Sequence, residues 1–242
     1  MEVYSRIKEK AKAGKKQLAV LIDPDKHQAS DFPLLAKKLS NFAIDYFFIG
    51  GSLLSRDLLD ECLTAFREYT HQPLVIFPGS VMQVNAKADA ILFLSLISGR
   101  NADLLIGKHV ESVPYILQSG IEPVSTGYIL VDGGSITTAQ YVSNTLPVPS
   151  NKPDIAALTA KAGEMLGMKL IYLDAGSGAK NSVPVEMIQK VKKIIQQPLM
   201  VGGGIRSKED ARAKLDNGAD LLVIGTALEN DLSFVEELSS LF

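Results

Sequence analysis

Eight short apolar runs, separated mostly by stretches with helical periodicity, constrain this sequence more than any other feature. The runs occupy residues 18–22, 46–49, 74–77, 90–94, 122–131, 170–173, 199–201 and 221–224. They are rich in β-branched or aromatic residues and lack strict apolar–polar alternation, the pattern of strands buried on both faces. Helical spacing fills residues 58–69, 155–166, 184–195 and 207–216. Strands that alternate with crossover helices build a parallel sheet. Eight of them in 242 residues match a closed (β/α)8 TIM barrel, which takes ~250 residues. A single barrel domain over residues 1–242 is therefore expected. The rival is a doubly wound open sheet, which normally carries a Gly-rich turn near its start; none stands there.

Two segments break the alternation. Residues 82–87, between the third and fourth runs, are too short for a full helix. Residues 144–153, rich in proline, read as a long loop rather than a helix or a domain boundary. The chain also echoes itself. Gln72-Pro73-Leu74-Val75 recurs as Gln197-Pro198-Leu199-Met200, and Ala88-Asp89-Ala90-Ile91-Leu92 recurs loosely as Ala219-Asp220-Leu221-Leu222-Val223. A duplicated half-barrel would produce this, and so would chance similarity among buried strands.

Composition narrows the function. A formal charge of -2 leaves no basic field for nucleic acid. The single cysteine, Cys62, excludes a disulfide framework and a Cys-rich zinc site. His27, His71 and His109 lack metal-ligand spacing and are expected at the surface. The first 17 residues are polar and lack a signal-peptide core. No apolar run reaches the ~18 residues of a membrane span. A cytoplasmic protein is expected.

Glycines cluster at the ends of the last three runs. The sixth ends in Tyr172-Leu173-Asp174-Ala175-Gly176-Ser177-Gly178, the seventh in Gly202-Gly203-Gly204-Ile205-Arg206-Ser207 and the eighth in Gly225-Thr226. Glycine lets backbone N–H groups approach phosphate oxygens, and barrels often hold phosphate after strands seven and eight. One such loop would mean only a tight turn; three neighbouring loops point to a phosphate cradle. After the first run stands Asp23-Pro24-Asp25-Lys26. A carboxylate at the C-terminal end of a barrel strand reads as catalytic or metal-binding, although Asp-Pro also favours a plain turn. Carboxylates there, with the hydroxyl of Ser52 after the second run, suit magnesium. Arg100 is a candidate grip for a diphosphate or an ordinary loop arginine. Pro78-Gly79-Ser80 is a candidate second anion contact. Tyr128 lines an apolar pocket or is plain core.

Taken together, Leu21 to Lys26, Gly50-Gly51-Ser52, residues 94–101, residues 127–135, Tyr172 to Gly178, Gly202 to Arg206 and Ile224-Gly225-Thr226 resemble the geranylgeranylglyceryl phosphate synthase family. Its related bacterial branch is heptaprenylglyceryl phosphate synthase. The order of these motifs over nearly the whole chain is more specific than any one of them. The resemblance implies a magnesium-dependent prenyltransferase of ether-lipid (phospholipid) biosynthesis. It joins a long-chain prenyl diphosphate such as geranylgeranyl diphosphate to the C3 hydroxyl of sn-glycerol 1-phosphate and releases diphosphate. It implies Asp23 and Ser52 as Mg2+ positions. Tyr172, Leu173, Asp174, Ala175, Gly176, Ser177, Gly178, Gly203, Gly204, Gly225 and Thr226 would hold glycerol phosphate. Asp174 stands where many relatives carry Glu, which shortens the reach of a base there. Leu21 stands where the heptaprenyl branch has a lysine, which places the chain nearer the geranylgeranyl branch. A homo-oligomer and transient contact with a membrane surface are also implied. Two rivals stay open: a phosphosugar isomerase on the same barrel, and a non-catalytic phosphate-binding barrel. An isomerase commonly pairs acids on strands one and five, and from Ser125-Thr126-Gly127 onward the fifth run offers none before Asp132.

Overall fold

A computed structural model describes residues 2–225 and 233–242. Its eight strands are β1 (Gln17–Ile22), β2 (Tyr46–Gly50), β3 (Leu74–Phe77), β4 (Ala90–Leu96), β5 (Glu122–Leu130), β6 (Leu170–Asp174), β7 (Leu199–Gly202) and β8 (Leu221–Ile224). All neighbours pair in parallel, and β8 closes on β1. The expected TIM barrel is thus the observed one, with strand bounds within two residues of those read from the sequence.

The missing alternation has a physical origin. Alternate residues of one strand serve two different apolar layers. Ala19, Tyr46, Phe48, Val75, Leu92, Tyr172 and Met200 fill the barrel interior. Their neighbours Val20, Phe47, Ile49, Ile76, Ile171 and Leu199 face the helices outside. With both layers dry, both faces of each strand must be apolar.

The outer layer comprises α2 (Phe32–Leu39), α3 (Leu59–Tyr69), α4 (Lys108–Ser119), α5 (Thr138–Ser143), α6 (Pro153–Met165), α7 (Val185–Ile194), α8 (Lys208–Asp216) and α9 (Ser233–Ser239). Pro153 opens α6 as its first residue, where a missing N–H costs nothing. That proline starts a helix rather than forbidding one. The amphipathic α1 (Val3–Lys12) closes the N-terminal mouth of the barrel. Its Val3 and Ile7 join the interior cluster. Glu122, the first residue of β5, accepts the N–H groups of Val3 (2.5 Å) and Tyr4 (3.2 Å). A carboxylate there meets the positive end of the helix.

Between β3 and β4 the chain forms only turns, as the short gap predicts, so this connection contributes no crossover helix. The sequence echo also has a structural counterpart. Asp89 gives its N–H to Leu74 O (2.8 Å), and its carboxylate accepts from Leu74 N (2.7 Å). Four strands on, Asp220 does the same with Leu199 O (2.9 Å) and Leu199 N (2.8 Å). Each carboxylate also carries a cation, Arg67 in one case and Lys192 in the other. The same clasp before β4 and β8 favours a duplicated half-barrel over chance.

Candidate active site

The C-terminal ends of the strands enclose a cavity of about 660 Å³. Of the residues singled out in the sequence, Asp23, Ser52, Tyr172, Asp174, Ser177, Gly178, Gly203, Gly204 and Gly225 line it. Because β8 pairs with β1, the glycine-rich loops and the Asp23 loop are neighbours around one rim rather than separate halves. Thr226 lies outside the described residues. Leu173 and Ala175 place their side chains in the outer layer with the helices. Any contact they make with a ligand in the cavity is through backbone.

Asp174 is the buried carboxylate of the site, only 6% exposed. Its Oδ2 accepts from the Tyr128 hydroxyl at 2.7 Å, and its Oδ1 accepts from Gly176 N–H at 2.7 Å. The Tyr172 hydroxyl adds a favourable interaction with the ionised acid. Burial pushes its pKa above the usual carboxylate range, and these donors oppose but do not cancel that shift. The N–H of Gly176 is thus committed to the acid, not to a phosphate. Tyr128 and Tyr172 sit opposite each other in the β5–β6 register and stack, with ring centroids 5.4 Å apart. Phe77, from β3, packs edge-on to both, at 6.2 Å and 6.0 Å. The sequence raised Tyr128 only as a pocket wall. Its partnership with Asp174 follows from strand register, which one sequence does not reveal.

The strand-seven loop passes close beneath this acid. Gly203 has φ +79°, and a methyl group there would lie 2.6 Å from Asp174 Oδ1 and 2.5 Å from Gly176 N. Only glycine combines that backbone with that approach. Arg206 ties the same loop to its neighbour, donating to Ala179 O at 2.7 Å. Arg206 and Lys26 bring cationic side chains to the cavity wall, and the sequence had assigned neither.

On the β1 side, Asp23 Oδ1 caps the following turn by accepting from Asp25 N at 3.1 Å. A methyl group on Gly51 would stand 3.1 Å from Asp23 Oδ2, so the β2 loop that carries Ser52 passes directly over the carboxylate. Among the described residues no three His, Cys, Asp or Glu side chains gather to hold a metal. One carboxylate with one hydroxyl suits magnesium, which keeps waters and shares ligands with substrate phosphates. Asp25 does not join them. Its carboxylate accepts from the N–H groups of Ser55 and Arg56 and staples the two loops together. Those bonds outweigh its burial and hold its pKa below the ordinary value.

One open alternative is narrowed and two further expectations are corrected. Arg100 folds back onto Gly99 O (2.6 Å) and is not among the residues lining the cavity. His109 is not a surface residue: it is 7% exposed, edge-on to Phe93 at 4.3 Å, with Nε2 3.0 Å from Ser95 Oγ. Burial lowers its pKa. Pro78-Gly79-Ser80 does not face the polar cavity. It lines a second, mainly apolar recess of about 170 Å³, with Phe93, Leu96, Leu104 and His109. The recess lies between β3 and β4 and the helices α4 and α5, and it borders the turns that join β3 to β4. It meets the main cavity at Ser52, Phe77, Tyr128 and Ala139.

Comparison with known proteins agrees with this geometry. The barrel resembles the tryptophan synthase α-subunit of Pyrococcus furiosus in fold alone, at TM-score 0.57 and 16% identity. It superposes much better on the crystal structure of (S)-3-O-geranylgeranylglyceryl phosphate synthase from Thermoplasma acidophilum in complex with its substrate sn-glycerol-1-phosphate. There the TM-score is 0.93 at 29% identity, covering 99% of this chain and 98% of that one. In sequence, the geranylgeranylglyceryl phosphate synthase of Chitinophaga pinensis is 48% identical over 98% of this chain and 94% of its own. That of Thermococcus gammatolerans is 40% identical over 91% and 90%. The PcrB family model matches residues 11–240. This chain belongs to the PcrB family, together with these geranylgeranylglyceryl phosphate synthases.

Proposed function

We propose that this protein is a prenyltransferase that joins a prenyl group to the C3 hydroxyl of sn-glycerol 1-phosphate, with Mg2+, and releases diphosphate. The observation that carries the proposal is a junction. A buried carboxylate, Asp174, and two tyrosines stand where a glycine-lined polar cavity opens into an apolar recess. The polar side suits a small phosphorylated alcohol. The apolar side suits the chain of a prenyl donor. The likeness to a synthase crystallised with sn-glycerol-1-phosphate supports the first assignment.

The residues divide the work. Ser177, Gly178, Gly203, Gly204 and Gly225 form the seat of the acceptor phosphate, where close backbone favours an anion. Asp23 and Ser52 would hold Mg2+, which supplies charge neutralisation for the leaving diphosphate. Phe77, Tyr128 and Tyr172 turn aromatic surface toward the carbon that loses diphosphate, where positive charge develops. Asp174 provides the basic site, since its raised pKa brings it nearer the working pH of a general base. Holding both substrates at one junction supplies much of the rate.

The rivals fare worse. Asp132, which an isomerase would need on the fifth strand, is exposed and accepts from Gly134 N at 2.9 Å. A non-catalytic phosphate barrel has no use for the buried acid. Incubating the protein with labelled sn-glycerol 1-phosphate, Mg2+ and prenyl diphosphates of several lengths decides the matter. A Mg2+-dependent, organic-extractable product is expected, and its absence with every donor sinks the reading. The same series reports the chain length accepted. Exposed apolar side chains on α4 and α6, Val110, Leu117, Leu158 and Met165, support a homo-oligomer. A lone 26.1 kDa species in sedimentation would rule that out. No helix of the described residues is long and apolar enough to cross a membrane.

A further inference from the structure

The acid at the centre of the site is unusually occupied. Asp174 has two oxygens, and each is already addressed by a donor: Oδ2 by the Tyr128 hydroxyl and Oδ1 by Gly176 N–H. Its short side chain is also walled in by the strand-seven loop at Gly203. Tyr128, by contrast, lines both the polar cavity and the apolar recess. It is therefore the member of this network that borders both substrates' space. We propose that Tyr128 is a catalytic residue that relays the acceptor's proton to Asp174, rather than only a wall of the site. This rests on the prenyl-transfer reading above.

The step balances. As the acceptor oxygen forms its bond to the prenyl carbon and diphosphate departs with its electron pair, that oxygen's proton passes to Tyr128 Oη. The Tyr128 proton passes along the existing 2.7 Å hydrogen bond to Asp174 Oδ2. The tyrosine ends neutral, as it began. Concerted transfer is required because burial and the adjacent carboxylate hold its phenol far above the usual tyrosine range, so a free phenolate is not accessible. The titratable side chain that bonds Asp174 is Tyr128 from β5, and Tyr172 from β6 acts on it electrostatically. The Tyr172 hydroxyl is held against Gly202, where a methyl group would meet it at 2.4 Å, and Tyr172 does not border the apolar recess.

The experiment uses the full chain with sn-glycerol 1-phosphate, Mg2+ and the prenyl diphosphate that wild type accepts. Tyr128→Phe keeps the ring and removes the relay. Its turnover should fall about 100-fold or more, with glycerol 1-phosphate binding within about threefold of wild type. Adding Asp174→Glu to that variant gives the acid one more methylene, so that it reaches the acceptor itself. The double variant should recover at least a tenth of the lost rate. Tyr128→Phe that works within threefold of wild type overturns the relay. So does a folded, ligand-binding double variant that recovers nothing, since the tyrosine is then needed for another reason. If Tyr128→Phe fails to fold, single-turnover rates of wild type in mixtures of H2O and D2O take its place. Two protons in flight bow the plot, and a straight line overturns the relay. Wild-type protein that forms no ether product strikes the proposed reaction instead, so the two failures read differently.

Discussion

Replacing Gly203 with alanine tests how tightly the strand-seven loop is fitted beneath the acid. The residue has φ +79°, where an L side chain costs about 1–2 kcal/mol. The new methyl would also stand 2.5 Å from Gly176 N, 2.9 Å from Ala175 N and 2.6 Å from Asp174 Oδ1. Those atoms are mostly backbone and cannot swing aside. Relieving such an overlap adds roughly 1–3 kcal/mol, for a total near 2–5 kcal/mol. Gly120→Ala separates strain from crowding. Gly120 has φ +70° and nothing within 4 Å of the methyl, at the C-terminal end of α4 away from the cavity. It should lose only about 1–2 kcal/mol. Urea unfolding gives the stabilities, and calorimetric titration gives the affinity for sn-glycerol 1-phosphate. Gly203→Ala should be the less stable by at least about 1 kcal/mol. It should also bind about tenfold more weakly, since 1.4 kcal/mol of misplacement costs that factor. Gly120→Ala should bind like wild type. Equal stability losses with unchanged binding in Gly203→Ala would refute the reasoning.

The raised pKa of Asp174 has a direction in activity. Only the ionised acid accepts a proton, so kcat/KM should fall as pH drops through a value above the ordinary 3.8. Asp174→Asn should cut turnover by about 10²–10⁴ while the acceptor still binds; a variant near wild type removes Asp174 from the chemistry. Gly79→Ala would drive a methyl to 2.3 Å from Gly51 O and 2.5 Å from Ser52 O, displacing the Ser52 loop. We expect a higher Mg2+ requirement and a raised KM for the prenyl diphosphate, with the KM for glycerol 1-phosphate little changed; unchanged values for both substrates would count against it. The paired clasps should differ in weight. Asp220→Ala leaves Leu199 N buried without its acceptor and should cost about 1–3 kcal/mol. Asp89→Ala should cost less, because the Asp89 side chain is 39% exposed and water replaces it. Equal costs in urea unfolding would show that burial does not set the difference.

The barrel was legible because its evidence is local. Each apolar run reports its own double burial, and eight in alternation leave little choice of topology. The place of Asp23, Ser52, Gly178, Gly203, Gly204 and Gly225 at the cavity was legible for the same reason, since each sits beyond the end of a readable strand. What stayed hidden depends on pairing across the sheet. Nothing near Tyr128 in sequence says that it faces Tyr172 and bonds Asp174; the β5–β6 register decides that. Asp25 stands two residues from Asp23 with the same chemistry, yet the N–H groups of Ser55 and Arg56 claim it. His109 read as a surface residue, yet Phe93 and Ser95 of the neighbouring strand bury it. The short α5 has too few residues to show periodicity, although Thr138 and Ala139 form part of the cavity wall.

The helix-free connection between β3 and β4 bears on how a product leaves. A long chain in a closed tunnel must thread out end first, and each added carbon slows it. A trough that is open along its length lets the chain peel away sideways. The recess is walled by β3, β4, α4 and α5, and on its remaining side it borders the turns that join β3 to β4, where Val81 and Val84 line it and no helix intervenes. Stripping a tail into water costs about 0.8 kcal/mol per CH2, so peeling is fast only when something oily receives it. Turnover should therefore rise when lipid vesicles or detergent micelles are supplied, and rise more for longer donors. A rate indifferent to both would mean that exit is not through this side. On this reading the enzyme's unloading rate belongs partly to its surroundings.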